Sequence, residues 1–189
     1  SVTKSYRVAS DRDTIEWDQP YCRVVWEGEP KIEFVITLDG PLAKKTMKLD
    51  GVIVPLNDAY GVLPTVLFSP ETMELVTGSP QERRRFLDTL LCQADHVYLD
   101  NLLTYRKVLR ERHFVLLRLG QGLGSPDELD FWDHELTRTG IYIMEKRADL
   151  VRKLNQSLVT VYPQFLVDRH QAVEIRYEPT VEPAQFAQK

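Results

Sequence analysis

Two long stretches of helical periodicity, joined by a glycine-rich reversal, constrain the fold of this chain more than any other feature. Over 95–119, apolar residues recur with the 4-3-4 spacing of a coiled-coil seam, which Arg112 interrupts. A second apolar stripe runs over 129–161. Three glycines in the five residues 120–124 cost too much backbone entropy to remain helical. The pattern therefore predicts two antiparallel helices that turn at 120–124. The first stripe consists of Tyr98, Leu102, Tyr105, Leu109, Leu116 and Leu119.

Three helix starts are marked by the same pair of residues. Ser-Pro occurs at 69–70, 79–80 and 125–126, where serine is the expected N-cap and proline the expected first helical residue. In the last two, a glutamate three residues after the serine, Glu82 or Glu128, completes a capping box. Each cap stabilises its helix by ~1 kcal/mol. We therefore expect a helix to begin at each of the three places.

The first third of the chain has the apolar pattern of β-strands. From Thr14 to about Asp50, short runs rich in Val, Ile, Phe and Trp are separated by turn residues, which predicts three or four antiparallel strands. Asp50-Gly51 is a hairpin signal, because both residues tolerate a positive φ. A further strand is predicted at 65–68, and alternation at 172–177 predicts a strand that returns after the helices.

These patterns predict an α+β protein in which a helical insertion leaves a sheet and returns to it. We place a β subdomain at 1–68. A helical lobe with the antiparallel arm follows at 69–171, and a returning strand and tail occupy 172–189.

Composition restricts the classes of function that remain. The chain has 189 residues, of which 43% are hydrophobic and 28% charged, as in an ordinary soluble domain. Its formal net charge is −4, so any contact with nucleic acid must use a local basic patch. The two cysteines and four histidines have no disulfide or metal spacing. We expect a cytoplasmic protein without a membrane span or a signal peptide, and the missing initiator methionine suggests an internal piece of a longer chain.

One segment resembles a known family closely. Residues 66–88 read VLFSPETMELVTGSPQERRRFLD, similar to a strand-to-helix segment of the RecF family that reads roughly VLFSPEDL…GSPxERRRFLD. Weaker similarities follow the same order along the chain, with KSYR at 4–7, ELDFWD at 128–133 and EIRY at 174–177. The likeness covers nearly the whole chain.

The resemblance implies a fold and a function. RecF is similar to the heads of SMC-type ABC ATPases, so it implies a partial ABC-ATPase-head β-sheet with an inserted helical lobe. It also implies ATP and Mg²⁺ in the full-length parent, and an ATP-dependent homodimer. The parent family acts in recombinational repair at single-strand gaps, binding single-stranded and gapped duplex DNA, where RecO and RecR help to load RecA.

The sequence departs from the family pattern where ATP hydrolysis is concerned. It contains no G-x-x-x-x-G-K-S/T loop to hold phosphates, no LSGGQ-like segment and no apolar strand ending in an acidic pair. Hydrolysis needs those parts. We therefore expect this chain alone to bind no cofactor and to be inactive.

The resemblance implies that four residues lie near the bound ATP of the full-length parent. Lys4 and Arg7 match the Lys-Ser-x-Arg segment after the nucleotide-binding helix of SMC-like heads, where a cation can reach phosphates or DNA. The alternative is an ordinary solvated loop. Ser69 and Glu71 stand where many ABC heads have a glutamine that links Mg²⁺ to the helical lobe. Helix capping alone is the alternative for these two.

Basic residues on two predicted helices are the candidates for DNA binding. They are Arg83, Arg84, Arg106, Lys107, Arg110 and Arg112. The first two lie in the opening turns of a helix, where the helix dipole disfavours cations, which suggests another use. Salt bridges to Asp88 and Glu82 are the alternative. The other four form a local patch on the first arm helix that can contact phosphates, or else an ordinary solvated coiled-coil face.

Two other classes of protein remain open. A stand-alone helical hairpin that binds only protein partners predicts salt-insensitive binding and no affinity for gapped DNA. A head fragment of another SMC-like repair ATPase predicts a much longer coiled coil than a helix that turns after ~25 residues.

Overall fold

The structure is a computed structural model that describes residues 10–40, 42–67, 69–165 and 173–186. The chain forms two compact units, residues 1–78 and 79–189. The sequence predicts subdomain boundaries at 68/69 and 171/172, and these boundaries stay predictions.

The first unit contains a four-stranded antiparallel sheet whose strands neighbour each other in chain order. The strands are β1 (Tyr21–Trp26), β2 (Ile32–Asp39), β3 (Leu42–Leu49) and β4 (Val52–Val54). Asp50 and Gly51 connect the last two strands with φ values of 48° and 84°. A two-residue turn with two positive φ angles matches the twist of a hairpin, so the predicted hairpin is confirmed.

One face of this sheet carries the core of the first unit. Ile32 and Met47 are buried there, together with Ala59 from a short 3-10 helix, Leu56–Ala59. Side chains alternate between the faces of a strand, so residues of even number on β2 share this face. The partly buried neighbours are Phe34, Leu49, Val54, Leu56, Val62 and Leu63.

The opposite face carries a row of charges. Glu33 accepts a hydrogen bond of 2.7 Å from Arg23 on β1 and one of 3.1 Å from Lys48 on β3. The bond from Arg23, followed by that from Lys48, lowers the pKa of Glu33 to about 2. These cross-strand pairs support the register of the three strands.

The second unit is helical. Its three main helices are α2 (Pro80–Ala94), α3 (His96–Gly120) and α4 (Glu128–Val161). Two short helices, α1 (Glu74–Thr77) and α5 (Pro183–Phe186), lie before and after them in the chain. The remaining 3-10 segments are Asp11–Thr14, Pro70–Met73 and Tyr162–Phe165. After Val161, α4 changes to a 3-10 turn that contains Pro163, a residue without the amide hydrogen that would continue an α-helix.

The predicted helix starts differ in how far they are realised. Ser79 caps α2 by accepting a hydrogen bond of 3.4 Å from the amide of Glu82. At Ser125 the helix begins later than predicted, because 3-10 bonds from Glu128 and Leu129 close the first turn. The return bond of a capping box is present there, since the Glu128 carboxylate accepts from the Ser125 amide at 2.9 Å.

The predicted arm is confirmed, and its seam residues Tyr98 and Leu102 are buried, but the seam was assigned one residue too late at Leu109 and Leu116. α3 and α4 pack as an antiparallel hairpin, with 121–127 between them. Val108 is 4% exposed whereas Leu109, the predicted seam residue, is 48% exposed. Val115 likewise replaces Leu116 in the core. In both places two apolar residues stand next to each other, so the apolar pattern cannot tell which one points inward.

Two predicted strands are wrong over the residues that the structure describes. Residues 65–67 and 173–177 have no regular secondary structure, while Phe68 and Ala172 lie outside the described residues. A strand is defined by pairing, and β1 to β4 account for all strand pairing in the described part of the chain. Ile175 instead exchanges hydrogen bonds of 2.9 and 2.8 Å with the side-chain amide of Asn155 on α4.

Candidate nucleic-acid interface

Two of the candidates for a place near the nucleotide, Lys4 and Arg7, lie outside the described residues. The side chain of Glu71 does as well. Ser69 is buried in a tight turn, where its carbonyl accepts hydrogen bonds from the hydroxyl and the amide of Thr72, at 2.5 and 2.9 Å. The sequence contains no G-x-x-x-x-G-K-S/T loop, and the place of these four residues near a nucleotide stays a prediction.

A buried carboxylate, that of Asp88 on α2, lies where the three long helices of the second unit meet. Its Oδ1 accepts hydrogen bonds from the Tyr98 hydroxyl at 2.6 Å and from Arg147 Nε at 2.9 Å. Arg147 Nη2 approaches the same oxygen at 2.7 Å. Burial, followed by the hydrogen bond to Asp88, raises the pKa of Tyr98 far above its usual value. Asp88 therefore connects all three long helices.

A second cluster lies at the corner between α2 and α3. Asp95 caps α3 by accepting a hydrogen bond of 3.1 Å from the amide of Tyr98. Lys146 of α4 donates to Asp95 at 3.1 Å, and the Tyr142 hydroxyl lies 3.4 Å away. Burial opposes the charge on Asp95, but the hydrogen bonds from Lys146 and from the Tyr98 amide outweigh it and lower the pKa.

Further pairs cross the hairpin toward its turn. Arg138 of α4 lies 3.4 Å from the side-chain oxygen of Asn101 on α3. Arg112 donates to Asp133, and Arg118 donates both to Glu128 Oε1 at 3.0 Å and to Oε2 at 2.7 Å. These partners fix the register of the two helices.

Arg112 was predicted both to interrupt the apolar seam and to belong to a basic patch that can contact phosphates. The structure places it at the seam, half-buried and bonded to Asp133. Any phosphate contact would have to compete with that carboxylate. Its role in DNA binding stays a prediction.

Arg106 has a weaker internal partner. Its Nη2 lies 3.7 Å from Asp88 Oδ2, and its side chain is 58% exposed. The other oxygen of Asp88 already accepts from Tyr98 and Arg147. Arg106 can therefore leave this contact at little cost, because exposed ion pairs contribute roughly 0 to 1 kcal/mol.

Three of the basic residues predicted to bind DNA are exposed and make no ion pair with any residue that the structure describes. They are Arg84, Lys107 and Arg110. Arg83 is exposed as well but has an interaction within the chain. The salt bridge to Glu82 that was the alternative prediction is formed by Arg85, whose Nη1 lies 3.9 Å from Glu82 Oε2.

From the sequence, Asp88 was named only as a salt-bridge partner for the arginines of α2 and Tyr98 only as a seam residue, and their buried cluster with Arg147 was not predicted. A signal was available, because Asp88 follows Leu87 and stands three residues before Leu91 on the buried face of α2. A charged residue within an apolar stripe needs a buried partner. The pattern does not say which distant cation supplies it.

No group of three or more His, Cys, Asp and Glu side chains among the described residues could hold a metal ion. Within the same residues, every helix is too short or too polar to cross a membrane.

The chain matches no family model. It is similar to the DNA replication and repair protein RecF of Acholeplasma laidlawii, at 34% identity over 98% of this chain and 52% of that protein. The RecF of Cytophaga hutchinsonii is 33% identical over 99% of this chain and 50% of its own length. The chain thus spans about half the length of the curated relatives it matches.

Two solved structures are similar as well. The recombination mediator protein RecF-ATPrS in the RecFOR pathway superposes with a TM-score of 0.75 at 27% identity, over 87% of this chain and 46% of the other. A second structure, of RecF-ATP, gives a TM-score of 0.80 at 24% identity, over 98% and 52%, and supports the fold. The α+β fold, with a four-stranded antiparallel sheet followed by a helical unit, is confirmed. The residues of 66–88, the sheet, the helical hairpin and these relatives together support a part of a RecF-type protein, matched over about half of its length.

Proposed function

We propose that this chain is the arm-bearing part of a RecF-type DNA repair protein and that its helical unit binds DNA phosphates. The observation that carries the proposal is the set of exposed cations without a carboxylate partner among the described residues, Arg84, Lys107 and Arg110. An exposed cation that is not neutralised within the protein can replace a counterion on a phosphate.

The distribution of charge supports a local contact with DNA. The whole chain has a net charge of −4. α3 alone contains five basic and two acidic residues, a net charge of +3. Two of its arginines, Arg112 and Arg118, are paired across the hairpin. Lys107 and Arg110 are three residues apart and therefore share a face of the helix, where both stay exposed.

Arg84 extends this surface onto α2. It stands four residues before Asp88, on the same face of α2, and Arg110 stands four residues after Arg106 on α3. Asp88 and Arg106 approach each other, so α2 and α3 are close at this point. Arg84 and Arg110 each lie about one helical turn from this contact, along their own helix. Arg83 and Arg106 complete the proposed surface.

For the full-length parent we propose the wider role that the family implies. It would bind DNA at single-strand gaps and, with RecO and RecR, promote the loading of RecA in the cytoplasm. ATP with Mg²⁺ would support a homodimer, with Lys4, Arg7, Ser69 and Glu71 near the nucleotide. Support comes from the names of the relatives, which are DNA replication and repair proteins, and from solved relatives described with ATP in the RecFOR pathway.

The proposal is tested by fluorescence anisotropy, titrating the 189-residue chain into a labelled duplex that carries a single-strand gap. We expect the triple variant Arg84→Ala/Lys107→Ala/Arg110→Ala to bind at least tenfold more weakly. The slope of log K against log salt should shrink by about 2.7, since each duplex phosphate contact contributes about 0.9.

A charge-matched control separates a specific surface from net charge. Arg12 and Lys153 are exposed cations outside the proposed surface, and neither forms an ion pair with a described residue. The variant Arg12→Ala/Lys153→Ala should bind as the unchanged chain does, whereas Lys107→Ala/Arg110→Ala should not. Equal losses in both would reject the surface. Salt-insensitive binding to a protein, with none to gapped DNA, would favour the stand-alone interaction module.

A further inference from the structure

The basic face of α3 continues into an exposed aromatic residue. Phe114 stands four residues after Arg110 and seven after Lys107, so the three side chains follow one another along the same face. The ring of Phe114 is 58% exposed. Leu117, three residues farther on, is also exposed and widens the apolar surface.

This face lies to the side of the contact with the partner helix. The buried residues Val108 and Val115 define the side of α3 that packs on α4, and Phe114 precedes Val115 by one position, about 100° around the helix. Among the residues that the structure describes, Phe114 makes no ring contact, whereas Phe131 of α4 packs edge-on against Trp132. The exposure of Phe114 therefore has no structural explanation within the hairpin.

We propose that Phe114 stacks on a base of single-stranded nucleic acid whose phosphates Lys107 and Arg110 bind. This inference rests on the proposed function and makes it specific. The rise from Arg110 to Phe114 is about 6 Å, a distance over which a phosphate and the base that it carries reach both groups. A stripe of cations beside an aromatic ring is the arrangement by which single strands are bound without reading their sequence.

The chemistry of the surface favours a single strand over the two other occupants. In an intact duplex the bases are stacked on each other, so a ring on a helix surface has no free base face to cover. A protein partner would need carboxylates for Lys107 and Arg110 as well as an apolar group for Phe114. A single strand supplies phosphate and exposed base in one repeating unit.

The experiment compares Phe114→Ala with Phe131→Ala in the 189-residue chain. Phe131 is the control, because it is 63% exposed but follows the exposed carboxylate of Asp130, which repels a polyanion. Each variant is titrated by anisotropy against a labelled oligothymidylate and against a duplex of the same length, after circular dichroism has established that it is folded.

We expect Phe114→Ala to weaken binding of the single strand by about 5- to 150-fold, the range that corresponds to replacing one stacking aromatic side chain by alanine. Its affinity for the duplex should change less than twofold, and Phe131→Ala should change neither. Phe114→Trp should restore the affinity for the single strand, because indole also stacks.

The outcomes separate this inference from the proposed function. If the unchanged chain binds DNA and Phe114→Ala binds the single strand equally well, the stacking role is wrong while the phosphate surface stands. Equal weakening for single strand and duplex also rejects stacking. If the unchanged chain binds no DNA of either form, both proposals fail.

Discussion

Removing the carboxylate of Asp88 should destabilise the helical unit more than any other single loss of charge described above. Asp88→Ala deprives Arg147 of its two bonds of 2.9 and 2.7 Å and leaves the Tyr98 hydroxyl without its acceptor. Breaking a buried ion pair from one side costs about 3 to 5 kcal/mol, because the remaining charge stays buried. For a unit of roughly 100 residues this corresponds to a fall in Tm of about 10 to 20 °C.

The assay is urea and thermal unfolding followed by far-ultraviolet circular dichroism, which reports mainly on α2, α3 and α4. Asp100→Ala is the control, since Asp100 is an exposed carboxylate of α3 that forms no ion pair with a described residue. It should change the free energy of unfolding by less than about 0.5 kcal/mol. If both variants lose equally little, the reasoning is refuted.

A compensated variant tests the mechanism behind the loss. Replacing all three polar partners together, in Asp88→Leu/Tyr98→Phe/Arg147→Met, removes the buried charges as well as their bonds. Such replacements are often neutral or stabilising. We therefore expect the triple variant to recover most of the stability that Asp88→Ala loses. A triple variant as unstable as the single one would mean that packing, and not the uncompensated charge, sets the cost.

Further predictions concern other parts of the chain. Burial and the charge of Asp88 raise the pKa of Cys92 to about 11, so a thiol reagent should label the half-buried Cys22 quickly and Cys92 only on unfolding. The first unit should lose stability as the pH falls from about 4.5 toward 2, because the lowered pKa of Glu33 contributes stability only where the carboxylate stays charged. Glu33→Gln should flatten that part of the stability curve. Gly140→Val should lower the Tm, because even a Cβ at this position would stand 2.6 Å from the ring of Phe186.

The elements that sequence patterns predicted are those fixed by neighbouring residues. The β3–β4 hairpin follows from Asp50 and Gly51, whose positive φ angles can be anticipated from residue type. The arm could also be predicted, because the Gly-rich turn and the spacing of apolar residues along each helix are local features of the sequence. The cap at Ser79 is equally local.

The features that were missed depend on distant partners. The predicted strand over 172–177 needs a neighbouring strand, and in the described part Ile175 bonds to Asn155 instead. The internal partner of Arg112 lies 21 positions away on α4. The register of α3 against α4 decides which basic residues are neutralised inside the hairpin and which can bind phosphate. The apolar pattern of one helix does not determine that register.

Arg110 and Arg112 give the most direct test of the claim that hairpin register decides which cations reach DNA. They stand two positions apart on one helix, yet Arg112 is bonded to Asp133 and Arg110 forms no ion pair with a described residue. The measurement is the salt dependence of binding to gapped duplex for Arg110→Gln and Arg112→Gln. The account predicts that Arg110→Gln lowers the slope by about 0.9 while Arg112→Gln leaves it unchanged. Equal slopes for the two variants, or a loss confined to Arg112→Gln, would contradict it.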